Sequence, residues 1–176
     1  MALSGGAASA DPAQDGAAAV VVIAAPDGST SNSGWVAGTS ESADVDPATL
    51  PPAAAGSGAS SASVTSDSAC IRGASDITAL SLLGGAVTAT TVESRMSACL
   101  DGSEVDYDAG DSGVDGLQVL GAPADPGAGP IPVGDWGMLT FDESFQDSAG
   151  RHARYTMHLH LSADYGGVPA GTDIYV

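Results

Sequence analysis

The chain contains no lysine, and its only basic residues are four arginines, against 22 acidic residues. Over 176 residues this gives a formal net charge of −18. Nucleic acids and anionic membrane surfaces bind proteins that offer cations to their phosphates, so this composition excludes nucleic acid as a partner and favours cations. The lack of lysine also excludes isopeptide crosslinks built on a lysine side chain, within a domain or between subunits.

Asparagine and long apolar segments are scarce as well. The single asparagine, Asn32, is followed by Ser33 and Gly34, so the Asn-x-Ser/Thr glycosylation sequon is absent. The apolar run at residues 17–25 (AAAVVVIAA) is shorter than the roughly 20 residues that span a bilayer. No positive charge precedes it, as an export signal would require. We therefore expect no membrane span, and the pattern is typical of a mature or trimmed chain.

Cysteine occurs only twice, placed symmetrically about a Gly-Gly pair. Cys70 lies 14 residues before Gly84, and Cys99 lies 14 residues after Gly85. If the two glycines form a two-residue hairpin turn, which needs positive φ at both positions, the cysteines face each other across the ladder. Facing cysteines are close enough to bond. The spacing therefore predicts a disulfide and a chain that matures outside the cytosol.

The two arms of this hairpin, residues 71–83 and 86–98, carry the Ile, Val, Leu and Thr residues that favour strands. Their apolar side chains fall on one face before residue 78 and on the other face after it. We therefore expect a β-bulge near residues 78–79. The same pairing sets Asp76 opposite Glu93, an unfavourable like-charge pair, and a bulge would shift both that pair and the cysteines.

The chain divides into two parts by composition. Residues 1–69 are mostly Ala, Gly, Ser, Pro and Asp, and such a segment buries too little apolar surface to offset the cost of ordering it. We expect an extended N-terminal tail there. Residues 70–176 consist of short strand-like runs between Gly and Pro turn signals. They predict an all-β fold, an antiparallel β-sandwich or jelly-roll-like domain.

The clearest strand alternation lies at residues 154–161. It predicts one apolar face, made of Tyr155, Met157, Leu159 and Leu161, and one polar face, made of Arg154, Thr156, His158 and His160.

Three histidines are candidate transition-metal ligands. His158 and His160 are about 7 Å apart along a strand, close enough to chelate one Zn²⁺ or Cu²⁺ ion, and His152 falls on the same predicted face. Asp142 or Glu143 on a neighbouring strand could supply a carboxylate. The alternative is a solvated polar face without a metal.

An acidic, glycine-rich stretch at residues 101–116 is a candidate for Ca²⁺, and we expect it to be a loop. Its acids include Asp106, Asp108 and Asp111. Counted from Asp106, the twelve-residue calcium loop would have Leu117 where a bidentate Glu is required. The stretch is interpreted as a non-standard calcium loop or as a solvated acidic loop.

Motifs of catalysis are missing. The chain has no Gly-x-Ser-x-Gly sequence and no Gly-rich phosphate loop before a helix, and a disulfide accounts for both cysteines. We predict that the protein is not an enzyme and needs no cofactor.

The apolar run at residues 17–25 is typical of a strand buried on both faces. Val20, Val21, Val22 and Ile23 form its centre. Our interpretation is that this strand completes the sheet of a neighbouring copy by β-augmentation. The alternatives are a remnant of export processing and a strand folded back on its own domain.

Several short motifs carry a family resemblance. Residues 81–89 (SLLGGAVTA) resemble the SLLGG-x-VTA signature of the choice-of-anchor P proteins, which are secreted or surface proteins, mostly of actinobacteria. Residues 121–123 (GAP), 131–133 (IPV) and 167–174 (GVPAGTDI), with Trp136-Gly137, are similar to later blocks of that pattern. The resemblance covers about residues 68–176. It implies export and a cell-envelope setting and brings no known reaction, although neither an export signal nor an anchor is visible.

These observations predict an extracellular structural subunit of a cell-surface filament or layer, assembled from copies of itself by N-terminal strand donation. The alternative is a monomeric surface module that binds a cation (Ca²⁺ or a transition metal) or a glycan, with Trp35, Trp136 and Tyr165 as exposed stacking platforms.

Overall fold

The computed structural model describes residues 16–18, 21–33, 36–38, 40–45, 59–67, 69–101, 104–146 and 152–176. The fold is all-β with antiparallel sheets, as the sequence predicts. Val20 and Trp35 lie outside the described residues.

The described strands, in chain order, are β1 (Gly16–Ala18), β2 (Val21–Ala24), β3 (Thr30–Ser33), β4 (Val36–Gly38), β5 (Ser40–Val45), β6 (Ala59–Ser66), β7 (Cys70–Leu82), β8 (Val87–Asp101), β9 (Glu104–Asp108), β10 (Gly113–Asp115), β11 (Gln118–Val119), β12 (Ala122–Pro123), β13 (Ile131–Val133), β14 (Gly137–Gln146), β15 (His152–Leu161) and β16 (Asp173–Tyr175).

Two sheets contain most of these strands. The larger sheet has the order β12-β11-β8-β7-β6-β5, and β9 and β10 also pair with β8. The smaller sheet has the order β13-β14-β15-β16-β2-β3, while β1 and β4 pair with each other. Leu82 and Val87 of the larger sheet and Leu159 and Ile174 of the smaller one belong to the same buried cluster. The two sheets therefore share one hydrophobic core.

The predicted hairpin and disulfide are confirmed. β7 pairs with β8 in the register derived from the Gly-Gly pair, and Cys70 faces Cys99 and is bonded to it, with 4.1 Å between the Cα atoms. The turn is longer than the predicted two residues: residues 83–86 connect the strands, and Leu83 adopts a φ of +52°. The register is unchanged because the connection remains centred between Gly84 and Gly85.

The predicted change of face also occurs, but by a different route from a bulge. The ladder skips Ala79 on β7 and Thr90 on β8, so one residue leaves the pairing on each strand. Ala79 has a φ of +58°, and this kink turns the apolar side chains to the other face. A classic bulge adds a residue to one strand only. Since both strands lose one here, Asp76 still faces Glu93 and the cysteines stay opposed.

The predicted boundary between an extended tail at 1–69 and a domain at 70–176 is wrong for the described residues. β6 pairs with β7 along eight residues, and β5 pairs with β6, so this part of the N-terminal region extends the larger sheet. β2 joins the smaller sheet beside β16. The composition argument failed because small residues can pair through their backbone even when they offer little apolar surface.

The acidic stretch at residues 101–116 is not simply a loop. It contains β9 and β10, which both pair with β8 on the side away from β7. Asp106 and Asp108 lie on β9, and Asp111 lies in the turn between the two strands.

Candidate functional site

The outer face of β15 carries a group of polar and aromatic side chains that contact one another. The predicted alternation holds at the C-terminal end of β15, where Met157, Leu159 and Leu161 are fully buried. It fails at Thr156, which is also buried and donates from Oγ1 to the backbone oxygen of Glu93 in the opposite sheet, at 2.9 Å. Thr156 therefore faces the core and not the predicted polar face.

The reason is a second kink, on the neighbouring strand. The ladder between β14 and β15 skips Asp142 and the opposite residue Thr156, and Asp142 has a φ of +56°. The alternation consequently shifts by one residue at this point. Tyr155 stands on the outer face with His158, contrary to the prediction, and Arg154 is largely buried and paired with Asp142.

His158 lies at the centre of the outer face and contacts a carboxylate through each ring nitrogen. Nδ1 is 2.7 Å from Oε2 of Glu143, and Nε2 is 2.9 Å from Oδ1 of Asp173. Through these two contacts the His158 ring joins β14, β15 and β16.

Further polar contacts hold the two carboxylates in place. Thr140 donates from Oγ1 to Oε1 of Glu143 at 2.6 Å. His160 places Nδ1 2.7 Å from the same Asp173 oxygen that His158 contacts. Of the two carboxylates suggested by the sequence, Glu143 contacts His158, whereas Asp142 pairs with Arg154. Asp173 was missed because only the pairing of β16 with β15 brings it here.

Three aromatic rings line up beside this network. The Tyr175 ring lies 4.3 Å from the Tyr155 ring and 4.3 Å from the His158 ring, measured between centroids. Burial, followed by the negative charge of Asp173, raises the pKa of Tyr175 to about 12. Burial also raises the pKa of Tyr155. Both phenols are therefore neutral hydrogen-bonding groups over the ordinary pH range.

The structure does not support the predicted transition-metal site. His152 lies away from the other two histidines, and its ring stacks on Tyr107 of β9 at 3.7 Å. Both nitrogens of His158 are engaged with carboxylates. Among the residues that the structure describes, no group of three His, Cys, Asp or Glu side chains is arranged to hold a metal ion.

The predicted calcium ligands are likewise not gathered together. Asp106 and Asp108 extend from an exposed strand, and Oδ1 of Asp108 accepts a hydrogen bond from the backbone N–H of Gly110. Asp111 lies beyond that turn. The acids follow an extended backbone and do not surround a common point.

The predicted exposed stacking platforms are only partly present. Trp136 is buried, and its ring stacks on Tyr165 with 3.7 Å between centroids. Tyr165 covers the tryptophan and is itself half-buried. This pair belongs to the packing of the domain, since a sugar ring would have no access to the face of Trp136.

The predicted assembly strand occupies a defined place in the smaller sheet. Residues Val22, Ile23 and Ala24 of β2 pair with Tyr175, Ile174 and Asp173 of β16. Val21 and Ile23 are buried in the core, at 2% and 8% exposure. The described part of the apolar run is therefore folded back on its own domain, which was one of the alternatives for it.

A surface hollow of about 360 Å³ lies at the kink of the hairpin. Ala79, Thr90, Gly116 and Gln118 are among the residues that line it. None of its lining residues is titratable, so the hollow supplies neither an acid nor a base for catalysis.

Comparison with known proteins gives no match, whether to family models, to curated proteins or to solved structures. The resemblance to the choice-of-anchor P proteins therefore stays a prediction. In the described part of the chain, no helix is long and apolar enough to cross a membrane.

Proposed function

We propose that the protein is an extracellular structural subunit of a cell-surface filament or layer, and that copies assemble by exchanging the N-terminal strand β2. The observation that carries this proposal is the position of β2 beside β16, a strand from the opposite end of the chain. A neighbouring copy could offer β16 the same backbone register and the same core side chains. Exchange of an identical element is a low-cost route to assembly because the contacts are replaced one for one.

The free energy of burying β2 is large enough to stabilise the fold, yet small enough for the strand to exchange between copies. Burying Val21 and Ile23 contributes about 1.5–3 kcal/mol for each side chain. These contributions are equal in the closed monomer and in an exchanged assembly. Protein concentration therefore decides between the two forms by mass action, and repeated exchange in one direction gives an open filament.

The disulfide supports the extracellular setting, because such bonds persist outside the reducing cytosol. The net charge of −18 keeps free copies apart, and extracellular salt would screen that repulsion at close range. Export and attachment to the cell envelope are also what the resemblance to the choice-of-anchor P proteins implies. The proposed role involves no catalysis.

A pair of engineered cysteines tests the exchange. In Val22→Cys/Tyr175→Cys the two positions face each other across β2 and β16, so their disulfide links two chains only if β2 has been exchanged. In the control, Val22→Cys/Asn32→Cys, both positions lie within the β2–β3 hairpin, and the bond closes inside one chain in either case.

We expect a ladder of covalent oligomers from the first variant at high protein concentration, seen on non-reducing gels, and only monomers from the control. Monomers alone from both variants at every concentration would show that β2 stays in its own copy. The proposed assembly mechanism would then be wrong.

A second candidate function is a monomeric module that binds a glycan through the outer face of β15, with binding of a cation as the less supported form. The row formed by Tyr155, Tyr175 and His158 favours it, because aromatic faces stack on sugar rings and the nearby carboxylates accept hydroxyl hydrogen bonds. Calorimetry of the monomer with oligosaccharides, Ca²⁺, Zn²⁺ and Cu²⁺ separates this candidate from the structural subunit, which needs no ligand.

A further inference from the structure

β9 presents a regular two-sided pattern at an exposed position. Val105 and Tyr107 are 40% and 41% exposed, and Leu100, which faces Val105 on β8, is 47% exposed. These are three of the five large hydrophobic side chains exposed in the described residues. Single exposed apolar residues are ordinary, whereas neighbouring ones form a patch, and large patches mark interaction sites.

The alternate residues of β9 are acidic. Glu104, Asp106 and Asp108 are all exposed, and their side chains point to the face opposite Val105 and Tyr107, because successive residues of a strand alternate. Glu104 also faces Asp101 across the ladder, a like-charge pair that is unfavourable without a cation.

Another acidic pair in the same sheet shows how such a conflict is relieved. Asp76 faces Glu93 on β7 and β8, and Arg95 forms a salt bridge with Asp76 while approaching Glu93 at 3.9 Å. Among the described residues, no cation lies within ion-pair distance of Asp101, Glu104 or Asp106. Within the described residues, the charge of Asp101, Glu104 and Asp106 is therefore left to solvent or to a partner.

Among the described strands, none pairs with the outer edge of β9. The opposite edge of β9 pairs with β8. The edge strands β12 and β13 each contain a proline, Pro123 or Pro132, which discourages the addition of a further strand. β9 has no proline, and the disulfide holds its neighbour β8 at Cys99, directly opposite Asp106.

The described residues of a second copy do not suit the edge. The three described arginines already pair with aspartates of their own chain, Arg72 with Asp67, Arg95 with Asp76 and Arg154 with Asp142. The chain has no lysine to offer in their place. A strand that added to β9 would need basic residues facing the acids and apolar residues facing Val105 and Tyr107.

We propose that the free edge of β9 binds an extended segment of another protein in which apolar and basic side chains alternate. Backbone hydrogen bonds to the edge supply part of the affinity, and the two faces of β9 supply specificity. With this pattern, the acids of β9 lie opposite basic residues, and Val105 and Tyr107 lie opposite apolar residues. Both kinds of cross-strand pair are favourable. The proposal is independent of strand exchange, since β9 and β2 belong to different sheets.

The probe is a fluorescent eight-residue peptide of alternating Val and Lys, titrated against the full-length, oxidised monomer at near-physiological salt. One control peptide replaces every Val with Ser and keeps the charge. A second control replaces every Lys with Glu. We expect the Val-Lys peptide to bind at least about tenfold tighter than the Ser-Lys peptide, and the Val-Glu peptide to show no binding.

Variants of the protein locate the site. Glu104→Gln/Asp106→Asn removes two exposed carboxylates from β9 and is expected to weaken binding of the Val-Lys peptide about fivefold to tenfold. Val105→Ser should weaken it as well. The matched control Asp27→Asn/Asp135→Asn removes two exposed carboxylates next to strands of the smaller sheet and should leave the affinity within about twofold.

Equal affinity for the Val-Lys and Ser-Lys peptides would mean diffuse attraction to an acidic protein and would overturn the proposal. Equal losses in the β9 double variant and its control would do the same. Circular dichroism and the intact disulfide mass confirm that each variant is folded, so a loss of binding cannot be mistaken for unfolding.

Discussion

Two strand pairings in this molecule differ in how the chain brings them together. β7 and β8 are joined by a four-residue connection and locked by a disulfide. β2 and β16 come from opposite ends of the chain and share only three residue pairs. The first pairing forms from neighbours in sequence, whereas the second must wait for a very long loop to close. The hairpin is therefore specified locally, and the β2–β16 pairing depends on the core that it completes.

The largest expected effect of a single substitution in this comparison falls on β2. Ile23→Ala removes a side chain that is 8% exposed and packs in the shared core. Such truncations cost about 2–5 kcal/mol. Ile71→Ala, on β7 beside the disulfide, is the matched control because Ile71 is only half-buried.

Guanidinium unfolding of the oxidised protein measures both effects. We expect the free energy of unfolding to fall clearly more for Ile23→Ala than for Ile71→Ala. If the two losses were equal, or Ile71→Ala cost more, β2 would not be an integral part of the core, and the contrast between the two pairings would disappear.

The local features could be predicted from the sequence because their signals lie close together. The equal spacing of Cys70 and Cys99 from the Gly-Gly pair defined the register, and the change of apolar face marked the kink at Ala79. A register derived from equal spacing about a turn does not depend on the rest of the fold. The length of the turn was missed because Leu83 adopts a positive φ that is unusual for a leucine.

The non-local features could not be predicted in the same way. Asp173 completes the His158 network only through the pairing of β16 with β15, and nothing near Asp173 in sequence indicates that neighbour. β9 was overlooked for another reason. Its alternation of acids with Val105 and Tyr107 is visible in the sequence, but the density of acids and glycines around it favoured a loop.

An intermediate loss of stability is expected from substitutions at the kink of the hairpin. Gly116 has a φ of +62°, and a Cβ at this position would lie 2.1 Å from Oγ1 of Thr90. Gly84 has a similar φ of +69°, but a Cβ there would meet nothing within 4 Å. Gly84→Ala therefore adds only the cost of a left-handed alanine, about 1–2 kcal/mol, whereas Gly116→Ala adds a steric clash.

Thermal unfolding should show a larger loss for Gly116→Ala than for Gly84→Ala. Thr90→Ala removes the closest contact, with Oγ1, but keeps the Thr90 Cβ at 2.9 Å, so Gly116→Ala/Thr90→Ala should recover only part of the stability that Gly116→Ala loses. If the Thr90 substitution made Gly116→Ala worse or had no effect on it, close packing of Gly116 against the kink would not be the reason for the glycine.

The smallest effect is expected in the β2–β16 pairing, from the ionisation of Tyr175 on β16. Its pKa of about 12 in the folded protein is raised chiefly by burial and next by Asp173, whereas an unfolded tyrosine titrates near pH 10. Between about pH 10 and 12 the unfolded chain loses this proton and the folded protein keeps it, so stability falls as the pH rises through that window.

Tyr175→Phe removes the titration, and the drop in unfolding midpoint between pH 9 and pH 11 should be smaller in this variant than in the wild type. Equal drops would mean that Tyr175 is not shielded, and that β16 is less firmly held between β15 and β2 than the pairing indicates.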